Sequence, residues 1–213
     1  MKEDFLRPPR TVSEWTADAL RLIGVLGVVA AAIWLQPTDA GIAALALPAL
    51  MLPRMLGLRA WFDVTVCVTV LAAAWSNVFG LYTSIPGWDL VLHFACTGVL
   101  AAVVAVVLSR TGVVALTRDA GARARTPLVL LPLIALAISA LWEMVEWLGK
   151  TYVSDVIFVT YQDTIGDMVF GGLGGIVAGV VLARAGVERS RIERSRREAD
   201  APAPRPYAQD RFS

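Results

Sequence analysis

The chain has 213 residues, of which 57% are hydrophobic, and a mean hydropathy of +0.64, well above the roughly 45–50% apolar content of soluble chains. A soluble domain of this length has no interior large enough to bury so much apolar surface, which excludes a soluble enzyme. The 19 basic and 18 acidic residues leave a net charge of +1, so there is no global field to recruit nucleic acid or an acidic substrate.

Residues 1–18 mix the acids Glu3, Asp4, Glu14 and Asp18 with Lys2, Arg7 and Arg10. This is unlike the positive leading region of a signal peptide, and no small-residue cleavage site follows, so the first apolar span is expected to be retained. Apolar stretches long enough for about 30 Å of hydrocarbon then recur. They run over residues 19–35, 40–57, 61–82, 89–109, 127–148 and 164–184. Pro48 and Pro53 are expected to kink the second, which also has Arg54 near its end. Lipid leaves no alternative to internally satisfied backbone, so these stretches predict an all-α polytopic membrane helix bundle of about six spans, residues 19–185.

Of the basic residues, only Lys150 falls at one set of span ends; all the others fall at the opposite set or in the terminal segments. By the positive-inside rule the basic ends are cytoplasmic, which places both termini inside and closes an even number of crossings. Asp63, close in sequence to Arg59, is expected to make a structural pair with it. Cys67 and Cys96 lie in apolar stretches, at depths about 10 Å apart at 1.5 Å per residue, too far for a disulfide. Gly171, Gly175 and Gly179 make a small-residue face on the last span, suited to close packing within the chain or to a homodimer seam. Residues 186–213 mix Arg with Glu and then become rich in Pro and Ala, which predicts a largely disordered cytoplasmic tail.

Polar groups within apolar spans tend to line a protein interior or a wet cavity, so each is a candidate site residue. Asp89, His93 and Thr97 share one face of the fourth span at intervals of four. Glu143 and Glu146 in WEMVEW stand about 60° apart on the fifth, and Asp163 and Asp167 repeat the interval of four on the sixth. Counted from the span ends at 1.5 Å per residue, Asn77, His93, Glu143 and Asp167 lie roughly 6 to 8 Å deep, with Asp89, Glu146 and Asp163 nearer the rim. The exoplasmic side thus carries Asp39, Asp89, Glu143, Glu146, Asp155, Asp163 and Asp167 against Lys150 alone.

So many carboxylates cannot all ionise together in a partly dry pocket, so some hold protons or a cation sits among them. A divalent cation on carboxylate oxygens, with His93, Glu143 and Asp167 as candidate ligands, resolves the repulsion. So does proton sharing, as in a relay or a general acid/base pair. One histidine rules out a His-rich zinc site, and there is no GxSxG elbow, Walker loop or GxGxxG. With one lysine and no arginine, the outer side is poorly equipped to clamp a bare phosphate unless a metal does so.

The segments WDLVLHFACTG, ALWEMVEW and YQDTIGDMVFGGLGG resemble the YjdF-like bacterial inner-membrane family and, more loosely, VanZ-like proteins. Both show an Asp with a His four residues on, a Glu-rich helix end, and Asp-x-x-x-Asp followed by Gly. The resemblance covers roughly residues 60 to 185 and implies a bacterial plasma-membrane protein of six helices or similar. It implies no particular chemistry. The basic residue that VanZ-like proteins carry between their Glu and final Asp motifs has no counterpart here apart from Lys150.

Three functions remain open from the sequence. The first is an exoplasmic carboxylate and histidine site that binds a cation or handles protons, acting on a lipid or cell-envelope molecule. The second is a small proton- or cation-coupled transporter, and the third a noncatalytic membrane scaffold. Between the polar layer and the cytoplasm only Thr65, Thr69 and Ser139 continue a polar path, which favours a one-sided site.

Overall fold

The computed structural model describes residues 2–116, 125–154, 157–185 and 187–188. Regular structure among them is helical: α1 (Lys2–Leu6), α2 (Val12–Trp34), α3 (Pro37–Met55), α4 (Ala60–Ser76), α5 (Leu81–Ser84), α6 (Trp88–Arg110), α7 (Thr126–Tyr152) and α8 (Tyr161–Arg184). Four of these, α2, α6, α7 and α8, are long and apolar enough to cross a membrane. Their outward faces carry large apolar side chains, including Leu22, Ile23, Leu26, Val29 and Ile33 on α2 and Leu133, Leu141 and Val145 on α7. Such a surface suits hydrocarbon and not water.

Two three-helix bundles, α2–α3–α4 and α6–α7–α8, meet chiefly where α4 packs on α6. Leu50, Val66, Cys67, Ala101, Ala105, Val106, Leu131 and Ala135 form a continuous buried core. The second bundle is held by glycines. A methyl group on Gly175 would fall 2.6 Å from the Ala135 methyl and 2.8 Å from the Leu131 carbonyl oxygen, and one on Gly179 would fall 2.7 Å from the Pro127 carbonyl oxygen. The Gly171, Gly175 and Gly179 face is therefore occupied by α7 of the same chain.

Three sequence expectations shift. The first helix begins at Val12, well before residue 19, because Thr11 caps it: its hydroxyl accepts the Glu14 N–H at 3.3 Å. The extra polar turns are buried by an ionic network, in which Arg7 pairs with Glu14 at 2.9 Å. The third stretch stops at Ser76 and not at residue 82. The chain turns at Gly80, which has φ +63°, and resumes as α5; the apolar Val78 and Phe79 conceal that turn from hydropathy. Asp63 does not pair with Arg59. It pairs with Arg21, whose guanidinium also reaches Asp18 at 2.8 Å and the Leu50 carbonyl at 2.9 Å.

Arg59 is engaged elsewhere, donating to the Glu188 and Ala185 carbonyls at 3.1 and 3.2 Å. The Arg59 N–H also donates to Val187 O at 2.8 Å, and Arg110 pairs with Glu188 at 3.1 Å. The chain after α8 is thus fastened across the α3–α4 turn, tying the two bundles together at this end. Cys67 and Cys96 are both free thiols. The tail expected to be disordered lies outside the described residues beyond Glu188, and Asp155 lies outside them as well.

Candidate functional site

Polar side chains from α6, α7 and α8 converge near the N-termini of α6 and α8 and the C-terminal part of α7. Gly87, with φ +74°, opens α6 and places Asp89 in its first turn, with His93 one turn further in. Thr160 caps α8 by accepting the Asp163 N–H at 3.2 Å, so Asp163 occupies the first turn and Asp167 the next. Acids in the first turn of a helix face the positive end of its dipole, which favours both placements.

Two close approaches bring the inner residues together. The α6–α8 crossing is set by Gly98 and Gly174, where a methyl on Gly98 would lie 2.8 Å from the Gly174 carbonyl oxygen. On the α7 side, a methyl on Gly171 would lie 2.9 Å from the Ser139 hydroxyl oxygen. With backbones this near, short side chains reach across. Thr97 lies 2.9 Å from the Gly171 carbonyl and Ser139 lies 3.2 Å from that of Asp167.

His93 is the centre of the arrangement. Its Nε2 lies 3.6 Å from Asp89 Oδ1, 3.8 Å from Asp167 Oδ2 and 3.9 Å from Glu143 Oε1. Asp89, His93 and Asp167 can each present one donor atom such that all three lie within 4.8 Å of one another. Asp167 is fully buried, Glu143 and His93 are nearly so, and Asp89 is about a third exposed toward the rim. Glu143 Oε1 and both carboxylate oxygens of Asp167 have no hydrogen-bond partner among the described residues. The other oxygen of Glu143 accepts from the Thr164 hydroxyl at 2.7 Å.

The outer acids flank this cluster. Glu146 accepts from the Trp142 indole N–H at 2.7 Å and interacts electrostatically with Glu143, Asp89 and Asp167. Asp163 interacts with Asp89 and Asp167 in the same way, as well as with His93. Lys150 donates to the Val159 carbonyl at 3.3 Å. Asn77 does not join: it is exposed at the end of α4 and donates to Asp39 at 3.0 Å. Equal depth placed it in the expected polar layer, but helical rotation turns it toward α3.

Sequence reasoning gave Ser139 no part in the site and overlooked Thr164. Ser139 stands one turn before Glu143 on the same face of α7, and Thr164 lies between the two α8 aspartates, so the interval of four was an available signal for the first. Chemically, the cluster is a buried set of oxygen acceptors around one imidazole, open at the rim through Asp89. Its donor types suit a hard or borderline divalent ion.

A family described as predicted membrane protein, DUF2238, matches residues 18–187. No curated protein and no solved structure matches the chain.

Proposed function

We propose that this chain, which belongs to the DUF2238 family of predicted membrane proteins, is a membrane-embedded, cation-dependent protein holding one divalent ion between Asp89, His93 and Asp167. Glu143 stands beside the ion, and Glu146 and Asp163 shape the acidic rim. The observation that carries this reading is the trio of buried, unpartnered carboxylate oxygens, Glu143 Oε1 and both of Asp167, gathered around His93. Unsatisfied buried acceptors are costly; a cation ligated by Asp167 satisfies that carboxylate, and its charge compensates the free Glu143 oxygen standing beside it. Three protein ligands with an open side toward the rim is the pattern of a site that receives a further ligand.

The proposed topology has six crossings with both termini in the cytoplasm of a bacterial inner membrane. The short α2–α3 and α3–α4 connections support it, since adjacent packed helices joined so tightly run antiparallel. The basic residues at the Arg59, Arg110 and Arg184 ends support the orientation. The site then faces the exoplasmic side, where the molecule acted upon is a lipid or another cell-envelope component. The likeness of three segments to YjdF-like proteins agrees with this placement. A relay across the membrane is less favoured, because inward of Thr97 and Ser139 the bundle is filled by Ala101, Ala105, Leu131 and Ala135.

The test is thermal unfolding of purified, chelator-treated protein in detergent with Mg²⁺, Ca²⁺, Mn²⁺ or Zn²⁺. One of these ions is expected to raise the melting temperature in a concentration-dependent way. If none does, the cation reading fails, leaving proton sharing among the carboxyls or a hydrogen-bonded network that only pins the helices.

A further inference from the structure

Ser139 is fully buried on α7 and touches both sides of the cluster. A serine hydroxyl has one proton to give and two lone pairs to offer. The Asp167 main-chain carbonyl oxygen, 3.2 Å from Ser139 Oγ, can only accept, so the hydroxyl proton is directed there. On its other side Oγ faces His93 Nδ1 at 3.5 Å. With its proton committed, Ser139 presents Nδ1 with a lone pair, which calls for the ring proton on Nδ1.

The opposite nitrogen is then bare. Nε2 lies between 3.6 and 3.9 Å from the carboxylates of Asp89, Asp167 and Glu143. Each of those separations is longer than the Ser139–Nδ1 contact, which itself stands at the outer limit of hydrogen-bonding distance, so Ser139 is the nearest polar partner of the ring. The Nε2 separations fit a nitrogen lone pair and carboxylate oxygens facing one point from several sides. Were Ser139 instead to donate to Nδ1, the ring proton would sit on Nε2 and block that point.

We propose that Ser139 is a positioning residue that holds the imidazole in its Nδ1–H form, so that His93 Nε2 is presented as a ligand. Residues that orient a ligating histidine through its second nitrogen tune affinity in this way. The role rests on the cation site proposed above for its purpose, but the proton's position is readable with no ion present.

His93 is the sole histidine of the chain, so ¹⁵N-histidine labelling gives the spectrum of one ring. In chelator-treated protein at a pH where the ring is neutral, nitrogen shifts and long-range proton–nitrogen correlations distinguish a protonated from a bare nitrogen. Wild type is expected to show protonated Nδ1 and bare Nε2. Ser139→Ala is expected to shift the ring toward a mixture and to weaken Zn²⁺ binding about 10- to 100-fold. Protonated Nε2 in wild type overturns the proposal, even if the variant does not fold. So does a Ser139→Ala spectrum identical to wild type. The expected spectra together with no ion binding by either protein would sustain the positioning role and remove the cation reading alone.

Discussion

Gly98 and Gly174 meet backbone to backbone: a methyl on Gly98 would fall 2.8 Å from the Gly174 carbonyl oxygen, and one on Gly174 only 1.9 Å from that of Phe94. This approach fixes the α6–α8 spacing beside the turns that carry His93 and Asp167, so the packing and the site are one construction. Gly174→Ala is expected to cost about 2 kcal/mol or more, since overpacking against backbone has no flexible side chain to yield. Gly175→Leu should do at least as much damage against α7. Gly41→Ala, where nothing lies within 4 Å, is the control and should leave stability unchanged or raised. Thermal unfolding in detergent checks all three. Wild-type stability for Gly175→Leu would mean that the glycine face does not hold α7.

At the other end of the molecule, Arg21 and Asp63 form a buried pair extended by Asp18 and Arg54. Removing Asp63 leaves the buried Arg21 guanidinium with only the part-exposed Asp18 as counter-charge, whereas replacing both Arg21 and Asp63 with apolar residues of similar size leaves Asp18 its Arg54 partner. Asp63→Leu alone should destabilise by about 3–5 kcal/mol, and the double change Arg21→Met with Asp63→Leu should recover most of it. A double-mutant cycle measures this. Additive losses would show that the pair is not a unit.

The proposed orientation predicts that reporter fusions after residues 38, 86 and 154 are exported and that those after 57, 116 and 188 remain in the cytoplasm. The prediction follows from the isolation of Lys150 from every other basic residue. A cytoplasmic reading after residue 154 would reverse the molecule and put the acidic rim inside.

The helical class was legible because lipid permits few alternatives to a long apolar helix, and the Asp89–His93 and Asp163–Asp167 intervals placed each pair on one face. Convergence of the three helices was inferred from depth, and depth says nothing about rotation. Glu143 turned inward with His93, and Asn77 at similar depth turned to Asp39. Arg21–Asp63 was illegible because the pairing joins helices that sequence distance does not connect, and the nearer Arg59 offered a false partner. The end of α4 was missed because hydropathy reads through Val78 and Phe79, although Gly80 marks the turn by conformation.

Within the cluster the carboxylates are not equivalent, and their geometry ranks them. Asp167 is fully buried with both oxygens unpartnered, and it belongs to the set that can meet at one point. Glu143 has one oxygen held by Thr164 and only the other free. Glu146 is tied to Trp142 and lies outside that set. Without ions, Asp167→Asn and Glu143→Gln should each raise the melting temperature by a few degrees, because removing one of several crowded like charges relieves repulsion. With a saturating divalent ion the order should invert, since stabilisation by mass action scales with affinity. Asp167→Asn should lose nearly all of the ion-dependent shift, Glu143→Gln part of it, and Glu146→Gln almost none. Melting curves of the four proteins with and without the ion give the ranking. A Glu146→Gln variant that loses the response while Asp167→Asn keeps it would move the ion to the rim and away from His93.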